Sequence, residues 1–250
     1  GKEVSRFLSE EFSLILTSKN DRLKNQNFSA LDLSNTQKVE KFAEGCPKIH
    51  TLIFLVGLAH KKGKKKDIEK YRLINKQTLI NLIRILQNEK NLPKKIIFAS
   101  TISVYGERIN LEYYFEDLKP KPVSPYAITK LEAENFLLEN YIDRSWVLRF
   151  APIYSPTFSL NIHRRTKIFG FYFKIGNGDK KLSLLNAKNI GFLVKEIIND
   201  KVPAGVYNIS DNKEYCYNEL IRYLKIQRTI RIPEIVIKGV YLLGRIFDNY

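Results

Sequence analysis

Two side chains near the middle of the chain have the types and spacing of a proton-transfer device. Tyr126 and Lys130 lie four residues apart in the helix-like segment PVSPYAITKLEAE, so they share one face of the helix. A free tyrosine has a pKa of about 10, which is too high for a base at neutral pH. An ammonium group one turn away favours the phenolate and should lower this pKa. The pair is therefore predicted to exchange a proton with a substrate hydroxyl.

A predicted strand brings hydroxyl groups towards the same place. The apolar run at residues 95–99 leads directly into Ser100, Thr101 and Ser103. A hydroxyl at the end of this strand could hold a carbonyl or alcohol oxygen beside the phenol of Tyr126. The strand and the following helix are thus the two elements that must position the chemistry.

The full pattern, STISVYG followed by SPYAITK, resembles the extended short-chain dehydrogenase/reductases of the NAD-dependent epimerase/dehydratase family. The resemblance implies that Tyr126 is the acid/base and that Lys130 lowers its pKa and holds the nicotinamide ribose. It also implies that Thr101 bonds the reacting oxygen and that Ser103 lies near the substrate. The implied fold is α/β, a Rossmann-like doubly wound parallel sheet with a small C-terminal substrate lobe, and the implied cofactor is NAD or NADP.

The resemblance reaches the start of the sequence. Gly1 matches the last glycine of the family's phosphate-binding turn, and a helix is predicted over residues 1–8. The first strand and the other glycines are then expected upstream of this sequence. Asp32 and Leu33 match a strand end that in the family contacts adenine, where Asp32 would accept from the amino group and Leu33 would pack on the ring.

Lys19 bears on the choice of cofactor. It follows the strand predicted at residues 12–17, where NAD-selective members of the family carry an acid that holds the ribose. Hydroxyls and a lysine can accept a 2′-phosphate that an acid would repel, so the segment favours NADP or no preference. The alternative is a polar turn with no role in binding.

The resemblance implies further cofactor contacts in and after the segments at residues 51–55 and 95–99, which are predicted to be strands. Val56 and Gly57 follow the strand at residues 51–55, and a glycine there permits a close approach of the backbone to the cofactor. Asn75, in a helix predicted over residues 67–87, would face the cofactor cleft. Ser100, Tyr126 and Lys130 complete the predicted cofactor-binding set.

The C-terminal part resembles the substrate-binding half of the family. Asn161 and Lys181 are the implied substrate ligands, although Leu182 stands where the family has an arginine. Residues 1–151 are predicted to form the NAD(P)-binding domain with the catalytic residues, and residues 152–250 mainly the substrate lobe, interleaved with that domain. A strand at residues 205–210 is assigned to the lobe, and residues 231–250 are predicted to be helical.

Composition restricts the class of protein. The chain has 250 residues, a net charge of +16, two cysteines and three histidines, which predicts no metal site and no disulfide framework. No apolar run is long enough to span a membrane, and a cytoplasmic location is expected. The excess of lysine is either a general compositional bias or a match to diphosphate-bearing ligands; nucleic acid is not expected as a partner, and a homodimer is left open.

The predicted function is epimerisation at carbon 4 of a UDP-hexose or UDP-N-acetylhexosamine, within surface polysaccharide biosynthesis. Reduction of a UDP-4-keto-hexose is the alternative, because Pro152 stands where many 4-epimerases carry an amide side chain. Ile102 and Ser103 replace the Asp-Glu pair of the family's dehydratases, which argues against dehydration. A non-catalytic Rossmann binding or regulatory protein, and a basic RNA-binding relative of the fold, are the alternatives from other classes.

Overall fold

The structure, a computed structural model, describes residues 1–19, 28–59, 65–106, 113–236 and 239. The described chain divides into two compact units. The first contains Gly1–Ala151 and Lys188–Ile209, and the second contains Pro152–Ala187 and the described residues from Ser210 on. The chain therefore leaves the first unit, returns to it and leaves it again.

The first unit is built on parallel strands joined by helices. Its strands are β1 (Leu16–Ser18), β2 (Phe28–Ala30), β3 (Thr51–Phe54), β4 (Lys95–Thr101) and β5 (Ser145–Phe150), with β11 (Gly205–Ile209) added late in the chain. Its helices are α1 (Lys2–Leu8), α2 (Thr36–Glu44), α3 (Ile68–Arg72), α4 (Thr78–Asn88), α5 (Pro125–Asn140) and α7 (Ala187–Ile198). One π-helical turn, Leu73–Gln77, joins α3 to α4.

Four of these strands form one parallel sheet in the order β11-β5-β4-β3. The two central strands are buried almost throughout, which explains why they read as unbroken apolar runs rather than as alternating ones. Apolar faces of α2, α4 and α5 contribute to the same core cluster as residues of β3, β4 and β5. The predicted Rossmann-like α/β fold with a parallel sheet is confirmed.

The helix α5, which carries Tyr126 and Lys130, begins where the sequence places it. Ser124 caps the helix by accepting a hydrogen bond from the amide of Ala127, and Pro125 occupies the first turn, where a missing N–H costs nothing. Gly106 ends the short 3₁₀ turn Ile102–Tyr105 with φ 73°, and a Cβ there would lie 2.2 Å from the carbonyl oxygen of Lys121. The glycine of the VYG segment is thus required by both backbone conformation and space.

The strands β1 and β2 form a separate parallel pair, with Leu16 opposite Phe28. Both strands are shorter than the sequence suggested, since β1 begins only at Leu16 and β2 ends at Ala30. The helix predicted over residues 1–8 is present as α1. The long helix predicted over residues 67–87 is present as α3, the π turn and α4.

The second unit consists of short strands around a small core. It contains β6 (Ile153–Tyr154), β7 (Lys167–Ile168), β8 (Phe171–Ile175), β9 (Lys181–Leu182), β10 (Leu185–Asn186), β12 (Tyr215–Cys216) and β13 (Ile230–Ile232), with helices α6 (Leu160–Thr166) and α8 (Tyr217–Tyr223). Ile162, Leu184 and Leu220 form the buried centre of this unit. The strand β8 lies between β7 and β13 in a three-stranded sheet.

Two expectations for the C-terminal half are wrong. The strand at residues 205–209 is the edge strand of the main parallel sheet rather than part of the C-terminal lobe, since it pairs with β5 along its whole length, from Gly205 opposite Trp146 to Ile209 opposite Phe150. Arg231 and Ile232 lie in the strand β13 rather than in the predicted helix, whereas residues 234–236 are helical as predicted. Most of the helix predicted over residues 231–250 lies outside the described residues. Within the described part of the chain, no helix is long and apolar enough to cross a membrane.

Candidate active site

The carboxyl end of β4 presents the predicted hydroxyl groups. Thr101 is the last residue of the strand and is almost fully buried. Its hydroxyl accepts a hydrogen bond from the amide of Ser103 at 3.2 Å and lies 3.2 Å from the Ser103 hydroxyl, which is itself on an exposed residue. Thr101 thereby caps the 3₁₀ turn that follows, and this fixes its side chain at the strand end.

Tyr126 on α5 meets Thr101 as the sequence analysis expected. A hydrogen bond with Thr101 tends to lower the pKa of the Tyr126 phenol, but burial is the larger effect and raises the pKa above its ordinary value. The sequence predicted a lowered pKa through Lys130. The difference arises because the phenol is withdrawn from water, which disfavours the phenolate.

Lys130 is fully buried one helical turn after Tyr126. Its ammonium donates hydrogen bonds to the carbonyl oxygens of Val56, at 3.0 Å, and Ala99, at 2.8 Å, and lies 4.5 Å from the centre of the Phe98 ring. Burial lowers the pKa of Lys130 to about 7, while the charge of Glu134 acts to raise it. Lys130 is therefore a tether between the ends of β3 and β4 as well as a group that can change charge near neutral pH.

The turn after β3 lies directly over Lys130. Gly57 is exposed, and a Cβ at this position would lie 3.2 Å from the Lys130 amine. Asn75, in the π turn, is completely buried and accepts a hydrogen bond from the amide of Leu58 at 2.7 Å. It also donates to the hydroxyl of Thr129 on α5, at 3.0 Å. Asn75 thus joins this turn to α5, and Val56 and Gly57 remain predicted cofactor contacts.

A buried polar network lies next to the predicted catalytic residues, and the sequence analysis missed it. Glu134, one turn after Lys130, accepts hydrogen bonds from Arg149 of β5 through Nε at 3.1 Å and Nη2 at 2.7 Å. Ser100 also donates its hydroxyl hydrogen to Glu134. The Ser100 side chain therefore belongs to this network. The sequence analysis predicted Ser100 as a cofactor contact and did not predict its hydrogen bond to Glu134. A signal existed in the sequence, since an arginine inside the apolar strand SWVLRF needs a buried partner.

The same network holds the VYG turn. Arg149 donates to the Tyr105 hydroxyl at 2.7 Å, and Tyr105 donates to the side chain of Asn208 on β11 at 2.8 Å. Asn208 in turn donates to the carbonyl oxygen of Tyr114, whose ring stacks on that of Tyr105 with centroids 5.3 Å apart. The loop after β4 is thus tied to the sheet through side chains of β5 and β11.

At the adenine end of the predicted cofactor site, two residues named from the sequence bind each other. The Lys19 ammonium lies 2.8 Å from the Asp32 carboxylate, which also accepts hydrogen bonds from the amide and hydroxyl of Ser34. The hydrogen bond from Lys19, with those from Ser34, lowers the pKa of Asp32 to about 2. Leu33 is buried in the main core, and Gly1 is exposed at the start of α1.

The predicted substrate ligands of the second unit have local partners. Asn161 donates its side-chain amide to the carbonyl oxygen of Ile153 at 2.8 Å, which fastens α6 to β6. Lys181 is exposed and lies 2.7 Å from the carboxylate of Glu214. Leu182, at the family's arginine position, packs against the core of the unit. The role of Asn161 and Lys181 in substrate binding stays a prediction.

Comparison with known proteins identifies the class that this fold and site define. Residues 4–189 match the family described as the NAD dependent epimerase/dehydratase family. The chain belongs to this family. It is also 28% identical, over 173 residues, to an N-acetyl-alpha-D-glucosaminyl-diphospho-ditrans,octacis-undecaprenol 4-epimerase of Escherichia coli O157:H7. That alignment covers 65% of this chain and 50% of the relative, so the chain matches only half of the relative's length.

Solved structures with the same fold include epimerases. The UDP-glucose 4-epimerase of Thermus thermophilus, in complex with NAD, has a TM-score of 0.72 and 18% identity, covering 93% of this chain and 83% of that one. The protein RMD of Pseudomonas aeruginosa, complexed with NADPH, has a TM-score of 0.68 and 19% identity, covering 93% and 83%. These likenesses establish the fold.

Proposed function

We propose that this chain carries the catalytic and most of the cofactor-binding residues of an NAD(P)-dependent enzyme that acts on carbon 4 of a nucleotide sugar. The observation that supports this most strongly is the meeting of Tyr126 and Thr101 at the carboxyl end of β4. Lys130 is one turn away on the same helix. This is the arrangement that a hydroxyl–carbonyl interconversion requires, because one oxygen must be held and its proton moved at the same time.

The residues present fit a nicotinamide cofactor. Gly57 leaves an exposed stretch of backbone without a side chain at the end of β3, next to the buried Lys130. In open parallel sheets ligands bind outside the carboxyl ends of the strands, which is where these residues lie. The cofactor would supply the acceptor and donor of a hydride, and Lys130, Val56 and Gly57 would hold it.

The proton would be handled by the chain itself. Tyr126 must be ionised to act as the base: its phenolate takes the proton of the sugar hydroxyl, becomes the phenol and later returns that proton, while the Thr101 hydroxyl holds the sugar oxygen in place. Since burial raises the pKa of Tyr126, the protonated phenol is the stable form in the absence of ligands. The returning step, in which Tyr126 donates a proton to a carbonyl oxygen, is favoured by this raised pKa.

Epimerisation of a UDP-hexose or UDP-N-acetylhexosamine is the preferred reaction. The Escherichia coli relative acts on N-acetylglucosamine carried by a lipid diphosphate, and the Thermus neighbour on UDP-glucose, so a diphosphate-linked hexose is common to both names. Reduction of a 4-keto sugar is the second candidate, favoured by Pro152 in place of an amide side chain. The ion pair of Lys19 with Asp32 weakens the argument for NADP, because the lysine charge already has a partner.

The test of the proposal is Tyr126→Phe, which removes only the phenolic oxygen. We expect turnover of the UDP-sugar to fall by at least about 100-fold, within the range typical of general acid–base catalysis, with little change in the dissociation constant for the cofactor. Tyr141→Phe is the control, since its hydroxyl lies at the far end of the same helix and contacts only Gln87 among the side-chain partners described. Turnover within a few-fold of the unmodified protein would refute the role of Tyr126.

A second measurement separates the alternatives. Formation of the 4-epimer from a UDP-hexose with NAD, without net change in nicotinamide absorbance, would support epimerisation. Stoichiometric oxidation of NADPH by a UDP-4-keto sugar would instead support the reductase. Cofactor binding without either reaction, across a panel of UDP-hexoses and UDP-N-acetylhexosamines, would favour the non-catalytic Rossmann protein.

A further inference from the structure

The hairpin formed by β7 and β8 carries apolar side chains in water. Ile168 pairs with Phe171, so the two residues between them, Phe169 and Gly170, form the whole turn. Phe169 is 93% exposed and Phe171 is 63% exposed. Isolated exposed apolar residues are ordinary, but one aromatic residue within the turn, another directly after it and the 45% exposed Ile168 directly before it make an apolar tip. We call Ile168–Phe171 the hairpin tip.

The backbone of the tip is unfavourable for the residue that it carries. Phe169 has φ 46° and Gly170 has φ 89°, the pair of positive values that two-residue hairpin turns of type I′ require. Asparagine, aspartate and glycine are preferred at the first of these positions, whereas a bulky side chain there is uncommon. Phe169 does not recover this cost through packing, because its ring is almost entirely in solvent. A strained residue with no folding benefit is a reason to look for a function.

The segment that presents the tip is purely cationic. Residues 158–175 contain four basic side chains and no aspartate or glutamate. Arg164 and Lys167 are exposed, whereas Arg165 and Lys174 are partly buried and donate hydrogen bonds to Asn161 and Asn218 within the unit. Lys167 immediately precedes the tip and its ammonium lies 5.2 Å from the centre of the Tyr172 ring. An apolar end with a cationic base is complementary to a surface that has negative charge outside and hydrocarbon beneath.

The hairpin is held firmly at its base. The Tyr172 hydroxyl lies 3.1 Å from Nδ1 of His163 on α6, and β8 is paired on its other side with β13. Because the backbone of the hairpin is already ordered, binding through the tip would cost little additional conformational entropy.

We propose that the hairpin tip is a docking element for an anionic lipid surface, with Phe169 and Phe171 entering the interface and the exposed Arg164 and Lys167 lying against the headgroups. This goes beyond the proposed function and does not depend on it. It would place the protein beside substrates whose diphosphate is carried on a lipid. A second copy of the chain is a different occupant of the tip and is one outcome of the test.

The experiment is flotation of the protein with vesicles of phosphatidylcholine alone and of phosphatidylcholine with about 30% phosphatidylglycerol, at about 0.15 M salt, where surface attraction is screened beyond about 8 Å. Binding is expected to the anionic vesicles. The variant Phe169→Ser/Phe171→Ser keeps every charge and should bind at least tenfold more weakly, which corresponds to about 1.4 kcal/mol. The matched control is Phe115→Ser/Ile142→Ser, two apolar side chains that are 65% and 58% exposed elsewhere.

The net charge of +16 alone can adsorb the protein to anionic vesicles, so the comparison between variants, rather than binding itself, decides the proposal. Equal binding of the hairpin variant and the unmodified protein would mean adsorption by charge only and would overturn it. An equal loss in the control variant, or no binding of the unmodified protein, would also overturn it. Self-association that the hairpin variant abolishes, without vesicle binding, would identify the tip as a contact between copies instead.

Discussion

The strongest test of the buried network is the change Glu134→Gln. Glu134 and Arg149 are almost completely excluded from solvent, and the carboxylate accepts two hydrogen bonds from the guanidinium and one from Ser100. Glutamine keeps the shape of the side chain but removes its charge, so the Arg149 cation is left buried without a counter-charge. Removing one partner of such a pair typically costs about 3–5 kcal/mol.

This loss is large compared with the whole stability of a domain, which is about 5–15 kcal/mol. At roughly 2–4 °C per kcal/mol for a protein of this size, Tm should fall by about 6–20 °C. Urea unfolding should report a lower midpoint with an unchanged slope. The control is Glu196→Gln, which breaks an exposed ion pair with Lys201 and should cost no more than about 1 kcal/mol.

The double variant Glu134→Leu/Arg149→Met is a complementary test. Replacing both charges with apolar side chains of similar size avoids an unpaired buried ion, so the loss should be smaller than that of Glu134→Gln alone. A cost below about 1 kcal/mol for Glu134→Gln, or a double variant less stable than the single one, would refute the reasoning that the pair is desolvated and coupled.

Three further outcomes are expected. Gly106→Ala should cost at least about 3 kcal/mol, because its backbone conformation suits only glycine and the Lys121 carbonyl occupies the space that a Cβ would need. The control Gly45→Ala, with its nearest neighbour at 3.9 Å, should change the stability little. Equal urea-unfolding midpoints of the two variants would contradict this. Burial lowers the pKa of Lys130 to about 7, so between pH 7 and the pKa of lysine in the unfolded chain the unfolded state binds more protons than the folded state. Stability should therefore rise with pH across that window. Lys130→Met should abolish this rise, which is measured as the urea midpoint at each pH. Ser145→Ala should be neutral or stabilise by about 1 kcal/mol, because the Ser145 hydroxyl is buried without a hydrogen-bond partner in the described structure; a clear loss of stability would show that the hydroxyl is satisfied.

The strand and helix that carry the predicted catalytic residues could be predicted because their signal is local. The strand that ends at Thr101 and the helix that carries Tyr126 and Lys130 lie within one stretch of sequence, and turn, cap and spacing all agree. Asn75 was also placed in the correct helix, but its double hydrogen bond to Leu58 and Thr129 depends on a π turn that no periodicity reveals.

Interactions between distant segments were not predictable in the same way. The pair of Lys19 with Asp32 joins the ends of two neighbouring strands, and the choice of partner depends on a register that propensities do not contain. The assignment of residues 205–209 to the C-terminal lobe failed for a similar reason. Sequence order suggested continuity with the lobe, whereas pairing with β5 decides the position of the strand.

The π turn at Leu73–Gln77 has a consequence for insertions and deletions in this helix. Each residue of an α-helix turns the chain by about 100°, so deleting one residue here would regularise the helix but rotate everything beyond it. If Asn75 then kept its contacts, the apolar side of α4, with Leu79 and Ile83, would leave the core. If Leu79 and Ile83 stayed in the core, Asn75 would lose its contacts. The extra residue of the π turn is therefore what allows Asn75 and the apolar side of α4 to face their partners at the same time. We therefore expect a library of single-residue deletions across α3 and α4 to contain almost no folded members from this stretch.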